Sequence, residues 1–230
     1  MFGRTIKSLV KSGVRDLKEK FSDDTEDDKF ATPFGLRIGA AVDIDTLPLR
    51  MHAADLLVEL PEETLIIAAQ GYIDLQDSTF VHRYYTKDDI MIQVLTVAGM
   101  EDQHVEELTL FVPHKSYYPD GAGAWAQWTS AGGRIGGPTF RLDDGTEFLR
   151  IWFDTIQGYA EPVMFTESVY EDPESDECTD VEHTVMLFGR NLGPEKKNEY
   201  LLVSAETYEG QSSVELMVGV DLEFANLKVI

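Results

Sequence analysis

The amino-acid sequence predicts an α+β protein that is predominantly antiparallel β, with a separate amphipathic helix at its N-terminus. Three observations lead to this fold class. About nine segments rich in Val, Ile, Leu, Phe and Tyr are bounded by Gly, Pro or Asp clusters, which is typical of strands. Few helical stretches lie between them, which disfavours a doubly wound parallel sheet. The first 21 residues follow a helical period instead, and an acidic stretch separates them from the rest.

Residues 1–21 are predicted to form the amphipathic helix, because apolar and basic side chains recur at about 100° per residue. Its apolar face consists of Phe2, Ile6, Leu9, Val10, Val14, Leu17 and Phe21. Its adjoining basic stripe consists of Arg4, Lys7, Lys11, Arg15 and Lys18. Such a helix needs an interface, and three are open: an anionic membrane surface, a partner helix, or the protein's own sheet. All of these residues except Phe21 are therefore candidate membrane- or partner-binding residues.

An acidic linker is predicted at residues 22–33. Its first seven residues read SDDTEDD, with five acids and no hydrophobic side chain, so this stretch should be solvated. The β-rich body then covers residues 34–230. Within it, the glycine-rich stretch 130–138 (SAGGRIGGP) is predicted to be an exposed loop or to join two sheet halves.

Strands in the body are predicted wherever apolar runs lie between turn residues. They are expected at residues 65–75, 80–85, 90–97, 107–112, 148–153, 162–170, 184–189, 200–205 and 214–222. A helix is predicted at 47–57, ahead of Pro61. A second is predicted at 122–131, where neighbouring glycines weaken the pattern.

The charge is sharply divided along the chain. The 230 residues include 42 Asp and Glu against 19 Lys and Arg, a net charge of −23. Residues 1–21 hold six Lys and Arg against two acids, a net charge of +4, so the remaining 209 residues carry −27. The body should therefore repel nucleic acid and anionic lipid, and no nucleic-acid partner is expected.

Cysteine content and hydropathy bound the cellular location. Cys178 is the single cysteine, which excludes an internal disulfide and a multi-cysteine zinc site and fits a reducing compartment. The longest apolar run, residues 65–69, is too short to span a bilayer. Lys7 and Lys11 interrupt any signal-peptide core. The cytoplasm is the expected location.

The densest group of polar side chains is the stretch 82–89, HRYYTKDD. A histidine, an arginine and paired carboxylates could serve an enzyme or a small-ligand binder with a pocket near His82 and Arg83. Period-2 alternation instead places His82 and Arg83 on opposite faces of a strand, with residues 87–89 as a hairpin loop. This second interpretation is favoured, so no catalytic residue is assigned. A shared, partly buried pocket holding both residues and a carboxylate would favour the enzyme.

The acidic stretch 167–182 contains eight Asp and Glu and no Lys or Arg. Such oxygens can bind Ca²⁺ or Mg²⁺, but the spacing does not match an EF-hand loop. The part between Tyr170 and the strand expected to begin at Thr184 is therefore interpreted as a solvated loop, and no metal or cofactor is predicted. Phosphate-binding and hydrolase motifs are also missing from the sequence.

Seven segments of the body carry a family resemblance. They are FGLRIGAAVDIDTLPLRM (34–51), GYIDL (71–75), RYYTKDD (83–89), FLRIW (148–152), MLFGR (186–190), EYLLVSAE (199–206) and VELMVGVDL (214–222). Together they resemble the YjfK-like family of bacterial proteins, a domain of unknown function, over about residues 30–230.

The resemblance carries over no functional residue, because the family has no established activity. Its members are often encoded beside relatives of phage-shock protein A, which implies a role near the stressed inner membrane. The leading hypothesis is a non-enzymatic cytoplasmic accessory or interaction protein. It would associate with the inner membrane, or with a phage-shock-protein-A-like partner, through its N-terminal helix.

Overall fold

The computed structural model describes residues 33–51, 55–193 and 198–230. Twelve β-strands dominate these residues, and every strand pair is antiparallel. The strands are β1 (Ala41–Ile44), β2 (Leu65–Asp74), β3 (Thr79–Thr86), β4 (Met91–Val97), β5 (Val105–Tyr117), β6 (Thr139–Arg141), β7 (Glu147–Arg150), β8 (Val163–Tyr170), β9 (Thr179–Asn191), β10 (Asn198–Tyr208), β11 (Gln211–Asp221) and β12 (Leu227–Val229). The α-helices of the described residues are α1 (Leu47–Arg50) and α2 (Gly121–Thr129).

Eight of the strands form a closed barrel. Its order is β2, β3, β4, β5, β11, β10, β9 and β8, and β8 closes the ring because it pairs with both β9 and β2. Strands β1 and β12 extend the sheet from β2. Strands β6 and β7 extend it from the end of β9 that β8 does not cover.

Tight turns explain much of the antiparallel pairing, since a short connection can only return the chain beside itself. The turn from β2 to β3 uses Gln76, Asp77 and Ser78 in left-handed conformations. Asp89 has φ 57° between β3 and β4, and Gly210 has φ 78° between β10 and β11. Asp and Gly suit such positions because they tolerate positive φ.

Strand β8 identifies the interior face of the barrel. Met164 is 66% exposed and Thr166 is also exposed, whereas Glu167 between β2 and β9 is fully buried. Because side chains alternate along a strand, Met164 and Thr166 point outward and Glu167 points into the barrel. Residues paired in register share a face, which places Arg83 and His183 in the interior as well.

On the side of the barrel opposite β8, both faces of the sheet are buried. Inside, a row of paired residues includes Met91, Phe111 and Tyr200. Gly219 belongs to this row, and a Cβ there would lie 2.4 Å from the Phe111 ring, so only glycine leaves room for that ring. Outside, Phe140 covers Phe188, with ring centroids 5.6 Å apart. The segments outside the barrel thus form a second apolar layer.

The α+β class with a separate N-terminal helix is wrong as a description of this fold. The described residues form a closed β-barrel, and among the described residues of the helix predicted at 47–57 only α1 is an α-helix. Backbone N–H groups of Leu57 and Val58 bind the Glu199 carboxylate, so they are not available to a helix. Residues 1–21, where the amphipathic helix was predicted, lie outside the described residues, as do residues 22–32 of the linker.

Each of the nine predicted strand segments overlaps a strand, and α2 (Gly121–Thr129) overlaps the helix predicted at 122–131. Strands β1, β6 and β12 are short and were not predicted. Nowhere in the described ranges is a helix both long enough and apolar enough to cross a bilayer.

Candidate functional site

A charged network lies inside the barrel and is centred on Glu167 of β8. Nη1 of Arg83 donates to Glu167 Oε2 at 2.6 Å, and the Tyr85 hydroxyl donates to Glu167 Oε1 at 2.8 Å. Arg83 also donates from Nε to Gln93 Oε1 at 3.0 Å. Arg83 and Glu167 have almost no exposed side-chain surface, so this is a buried ion pair. Such pairs are strongly destabilised when one partner is removed.

The strands explain how these groups meet. Arg83 and Tyr85 both lie on the interior face of β3. Gln93 of β4 is paired in register with Arg83. Strand β2 separates β3 from β8, and its residue in register with Arg83 is Gly71. Because glycine has no side chain, Arg83 can reach across β2 to the carboxylate of Glu167.

The network stabilises the ionised form of Glu167. Burial alone would raise the pKa of this carboxyl, but Arg83, His183 and Tyr85 together outweigh burial and lower its pKa to about 2. Although burial opposes the charge of Arg83, the Glu167 carboxylate keeps the pKa of Arg83 above its usual range. Burial and the same carboxylate raise the pKa of Tyr85 well above 10. Arg83 and Glu167 are therefore charged, and Tyr85 is neutral, at physiological pH.

His183 of β9 connects this ion pair to a second carboxylate. Its Nε2 lies 3.0 Å from Glu167 Oε2, and its Nδ1 lies 2.9 Å from the Ser204 hydroxyl. The same Nδ1 is 3.5 Å from Glu206 Oε1. Burial and the charge of Glu167 raise the pKa of Glu206, although His183 and Arg83 oppose them. The network thus contains two carboxylates, one guanidinium and one imidazole.

The contacts from Ser204 through His183 to Glu167 have the order of a hydroxyl, base and acid in nucleophilic catalysis. The surroundings do not suit that chemistry. Ser204 is buried and lies inside β10, which is paired on both sides, so the ladder occupies the neighbouring backbone N–H groups. No oxyanion site is built at this hydroxyl, and the arrangement is better suited to fixing the barrel wall.

His82 and Arg83 lie on opposite faces of β3, as the period-2 alternation predicted. His82 is fully buried on the outer face beside the Tyr72 ring, with centroids 5.8 Å apart. Burial lowers the pKa of His82 to about 4, so its ring is neutral at pH 7. Neither ring nitrogen has a hydrogen-bond partner among the described residues. The shared pocket of His82, Arg83 and a carboxylate is not formed, because only Arg83 meets a carboxylate.

Glu199 is a buried carboxylate outside this network, and it holds a loop to the outer wall. Its Oε1 accepts from the backbone N–H groups of Leu57 and Val58 at 2.6 and 2.8 Å. Its Oε2 accepts from Nε of Arg190 at 2.7 Å, and Arg190 also donates to the Asp55 carbonyl. Glu199 therefore joins β9, β10 and the loop after α1.

Arg150 at the end of β7 holds another loop through carbonyl oxygens. Its guanidinium donates to the carbonyls of Gly136, Gly137, Phe153, Ile156 and Gly158 at 2.5 to 3.3 Å. A planar group with five N–H donors suits such a ring of acceptors. Arg150 thus joins the chain between β7 and β8 to the glycine-rich segment that precedes β6.

These networks account for several residues of the motifs that carry the family resemblance. Gly71, Arg83, Arg150, Arg190 and Glu199 all belong to those segments, and all take part in packing or hydrogen bonding inside the fold. The motifs therefore mark structural positions in the barrel.

The solvated loop predicted between Tyr170 and Thr184 is shorter than expected, because residues 179–182 belong to β9 and the loop is confined to residues 171–178. Glu167 is buried in β8, within the strand predicted at 162–170. Within the described ranges, no cluster of three or more His, Cys, Asp or Glu could hold a metal ion. The candidate binding residues of the N-terminal segment, Phe2 to Lys18, lie outside the described residues.

Sequence reasoning missed Glu167, His183 and Glu206 as members of one network. A signal existed for the first two. At a period of two residues, Glu167 shares a strand face with Phe165 and Val169, and His183 shares one with Val185 and Leu187. Period 2 therefore places each polar residue on an apolar strand face. This pattern does not show which strands face one another across the barrel.

Comparison with known proteins confirms the resemblance found in the sequence. The family described as "Protein of unknown function (DUF2491)" matches residues 15–228. The uncharacterized protein YjfK of Escherichia coli (strain K12) is 28% identical over 203 residues, which cover 86% of this chain and 90% of that protein. No solved structure matches the chain. Because the family match spans nearly the whole sequence, this chain belongs to the DUF2491 family of bacterial proteins of unknown function.

Proposed function

We propose that this protein is a non-enzymatic, cytoplasmic interaction protein that attaches to an anionic membrane surface through its basic N-terminal segment, residues 1–21. The observation that carries the proposal is the division of charge, with +4 on this segment and −27 on the remaining residues. A segment of opposite charge to its own body, rich in Phe, Ile, Leu and Val, is suited to a separate interface.

The chemistry of the barrel supports a binding role over a catalytic one. Arg83, Glu167 and Tyr85 bind one another, and Glu199 and Arg150 bind backbone groups of the fold. Side chains engaged in this way hold loops and strands in place, and a catalytic group must instead reach a substrate. Of the polar groups that suggested an enzyme in the sequence, Arg83 and Tyr85 bind Glu167 inside the fold.

The energetics of membrane attachment are favourable for the segment alone. Each Lys or Arg near an anionic leaflet contributes about 1 kcal/mol, so five basic residues supply several, in addition to burial of the apolar side chains. The acidic body opposes attachment, but its repulsion decays over a Debye length of about 8 Å at physiological salt. The linker of residues 22–33 can extend to roughly 40 Å, which is enough to hold the acidic body several Debye lengths from the membrane.

Co-sedimentation with vesicles tests the proposal. Full-length protein should sediment with vesicles containing phosphatidylglycerol, should not sediment with pure phosphatidylcholine, and should be released as salt is added. The double variant Lys7→Glu with Lys11→Glu should lose this binding. A matched double variant, Lys87→Glu with Lys228→Glu, changes the same number of charges at exposed positions outside residues 1–21 and should still bind.

Two outcomes would contradict membrane attachment. The first is the failure of full-length protein to sediment with anionic vesicles even at low salt. The second is equal loss of binding in both double variants, which would show that only total charge matters. If purified phage-shock protein A binds the chain through residues 1–21 while vesicles do not, the segment serves a protein partner instead.

A further inference from the structure

The network inside the barrel contains an unequal number of negative and positive groups. Glu167 and Glu206 provide two carboxylates, and Arg83 provides one permanent cation. His183 lies between the carboxylates, with 3% of its side chain exposed, and Glu206 is 28% exposed. With both carboxylates ionised and the imidazole neutral, one negative charge would remain uncompensated beside a buried ion pair, which is unfavourable.

We propose that the barrel interior binds one proton, held between His183 and Glu206, that the unfolded chain does not hold above about pH 6.5. The proton is on the imidazole as an ion pair with Glu206, or on the carboxyl beside a neutral imidazole. Either position leaves the network of Arg83, Glu167, His183 and Glu206 electrically neutral.

The groups that face His183 agree with this count. Strand β8 contributes Glu167, β10 contributes Ser204 and Glu206, and β3 contributes Arg83 and the neutral Tyr85. The remaining acidic and basic residues of β8 and β9 nearest to His183, Asp180 and Glu182, are exposed on the outer face.

Strand β11 adds Glu215, which is paired with Ser204 and bonded to the Ser116 hydroxyl. Its carboxylate increases the negative charge near the network and supplies no cation. Independently of the count, burial raises the pKa of Glu206, and so does the charge of Glu167. A carboxyl with that shift retains a proton more readily than it does in the unfolded chain.

Unfolding separates these groups and should release the proton. In the unfolded chain Glu titrates near pH 4.3 and His near pH 6.5, so above about pH 6.5 neither holds a proton. The folded state then binds one more proton than the unfolded state, and stability falls as pH rises. Between about pH 4.5 and 6.5 the unfolded histidine is itself protonated, and this contribution to the pH dependence disappears.

Proton release on unfolding is the test. Full-length protein is unfolded by urea at pH 7.5 in weak buffer with an indicator dye, beside Glu206→Gln and Glu182→Gln. Glu206→Gln leaves Arg83 balanced by Glu167, so it should release about one proton fewer than the wild type. Glu182→Gln removes an exposed carboxylate from the outer face of β9 and should release as many protons as the wild type.

Equal proton release by the wild type and Glu206→Gln would overturn the proposal. If Glu206→Gln does not fold, nuclear magnetic resonance of the wild type at pH 7.5 decides the question through the ¹⁵N shifts of His183 and the ¹³C shift of the Glu206 carboxyl. A protonated imidazole or a protonated carboxyl supports the proposal. A neutral imidazole with an ionised carboxylate contradicts it.

Discussion

Glu167 occupies the space in which a side chain at Gly71 would have to lie. A Cβ built at position 71 falls 1.6 Å from Glu167 Oε1 and 2.7 Å from its carboxyl carbon. The absence of a side chain on β2 is therefore a condition for the ion pair between Arg83 and Glu167, which belong to strands on either side of it.

Gly71→Ala should destabilise the protein strongly. The new methyl group displaces the Glu167 carboxylate from Arg83, and disruption of a buried ion pair costs about 3 to 5 kcal/mol. Urea unfolding at pH 7 measures the loss. Gly123→Ala is the control, because a Cβ at Gly123 in α2 meets nothing within 4 Å. An equal effect of the two substitutions would show that Gly71 is not a special position.

The ionised state of Glu167 should make the protein sensitive to acid. Its pKa is about 2 in the folded state, below the ordinary value of 4.5. The resulting stabilisation is present above about pH 4.5 and is lost as pH falls towards 2, a change of about 3 kcal/mol. Glu167→Gln should be less stable at pH 7 and should depend less on pH in this range. Glu174→Gln, on the exposed loop after β8, should keep the wild-type profile.

Glu199 should control the exposure of the loop after α1. Its carboxylate accepts from the backbone N–H groups of Leu57 and Val58, and hydrogen bonds to a charged group contribute about 1.5 to 3 kcal/mol. In Glu199→Ala, hydrogen exchange at these two N–H groups should accelerate about tenfold or more. Glu199→Gln retains a carbonyl oxygen and should have an intermediate effect. Unchanged exchange in Glu199→Ala would mean that other contacts hold the loop.

Arg150→Lys should loosen the segment between β7 and β8 although the charge is conserved. Five carbonyl oxygens accept from the guanidinium, and a lysine has only three donors at a single point. Thermal unfolding should show a loss of about 1 to 3 kcal/mol. Arg141→Lys, at an exposed pair with Glu147, is the matched control and should change stability by less than about 1 kcal/mol.

Much of the barrel's local structure could be predicted from the sequence. Apolar runs between turn residues located the long strands, and alternation placed His82 and Arg83 on opposite faces. These features depend on neighbours in the chain, so one sequence contains them. The helix predicted at 47–57 was wrong at its C-terminal end, because a contact with Glu199, far away in the chain, outweighs the local preference of Leu57 and Val58.

Closure of the barrel and the charged network could not be predicted in the same way. Arg83 and Glu167 are 84 positions apart, and Gly71 became important only because β2 lies between their strands. Strand order across such separations is decided by which surfaces fit together. Periodicity describes one strand at a time, so it identified a buried face without identifying what the face contacts.

Ring closure also has a consequence for the time course of folding. Strand β5 pairs with β11, and β2 pairs with β8, so two edges formed early in synthesis receive their partners much later. Pairings between distant parts of a chain are slow to form, and unpaired edges are prone to aggregate. The edge of β2 that pairs with β8 therefore stays open until β8 has been synthesised, and the edge of β5 stays open until β11 has been synthesised. We expect the barrel to close only when synthesis is nearly complete, and a nascent chain that stops before β11 to need protection.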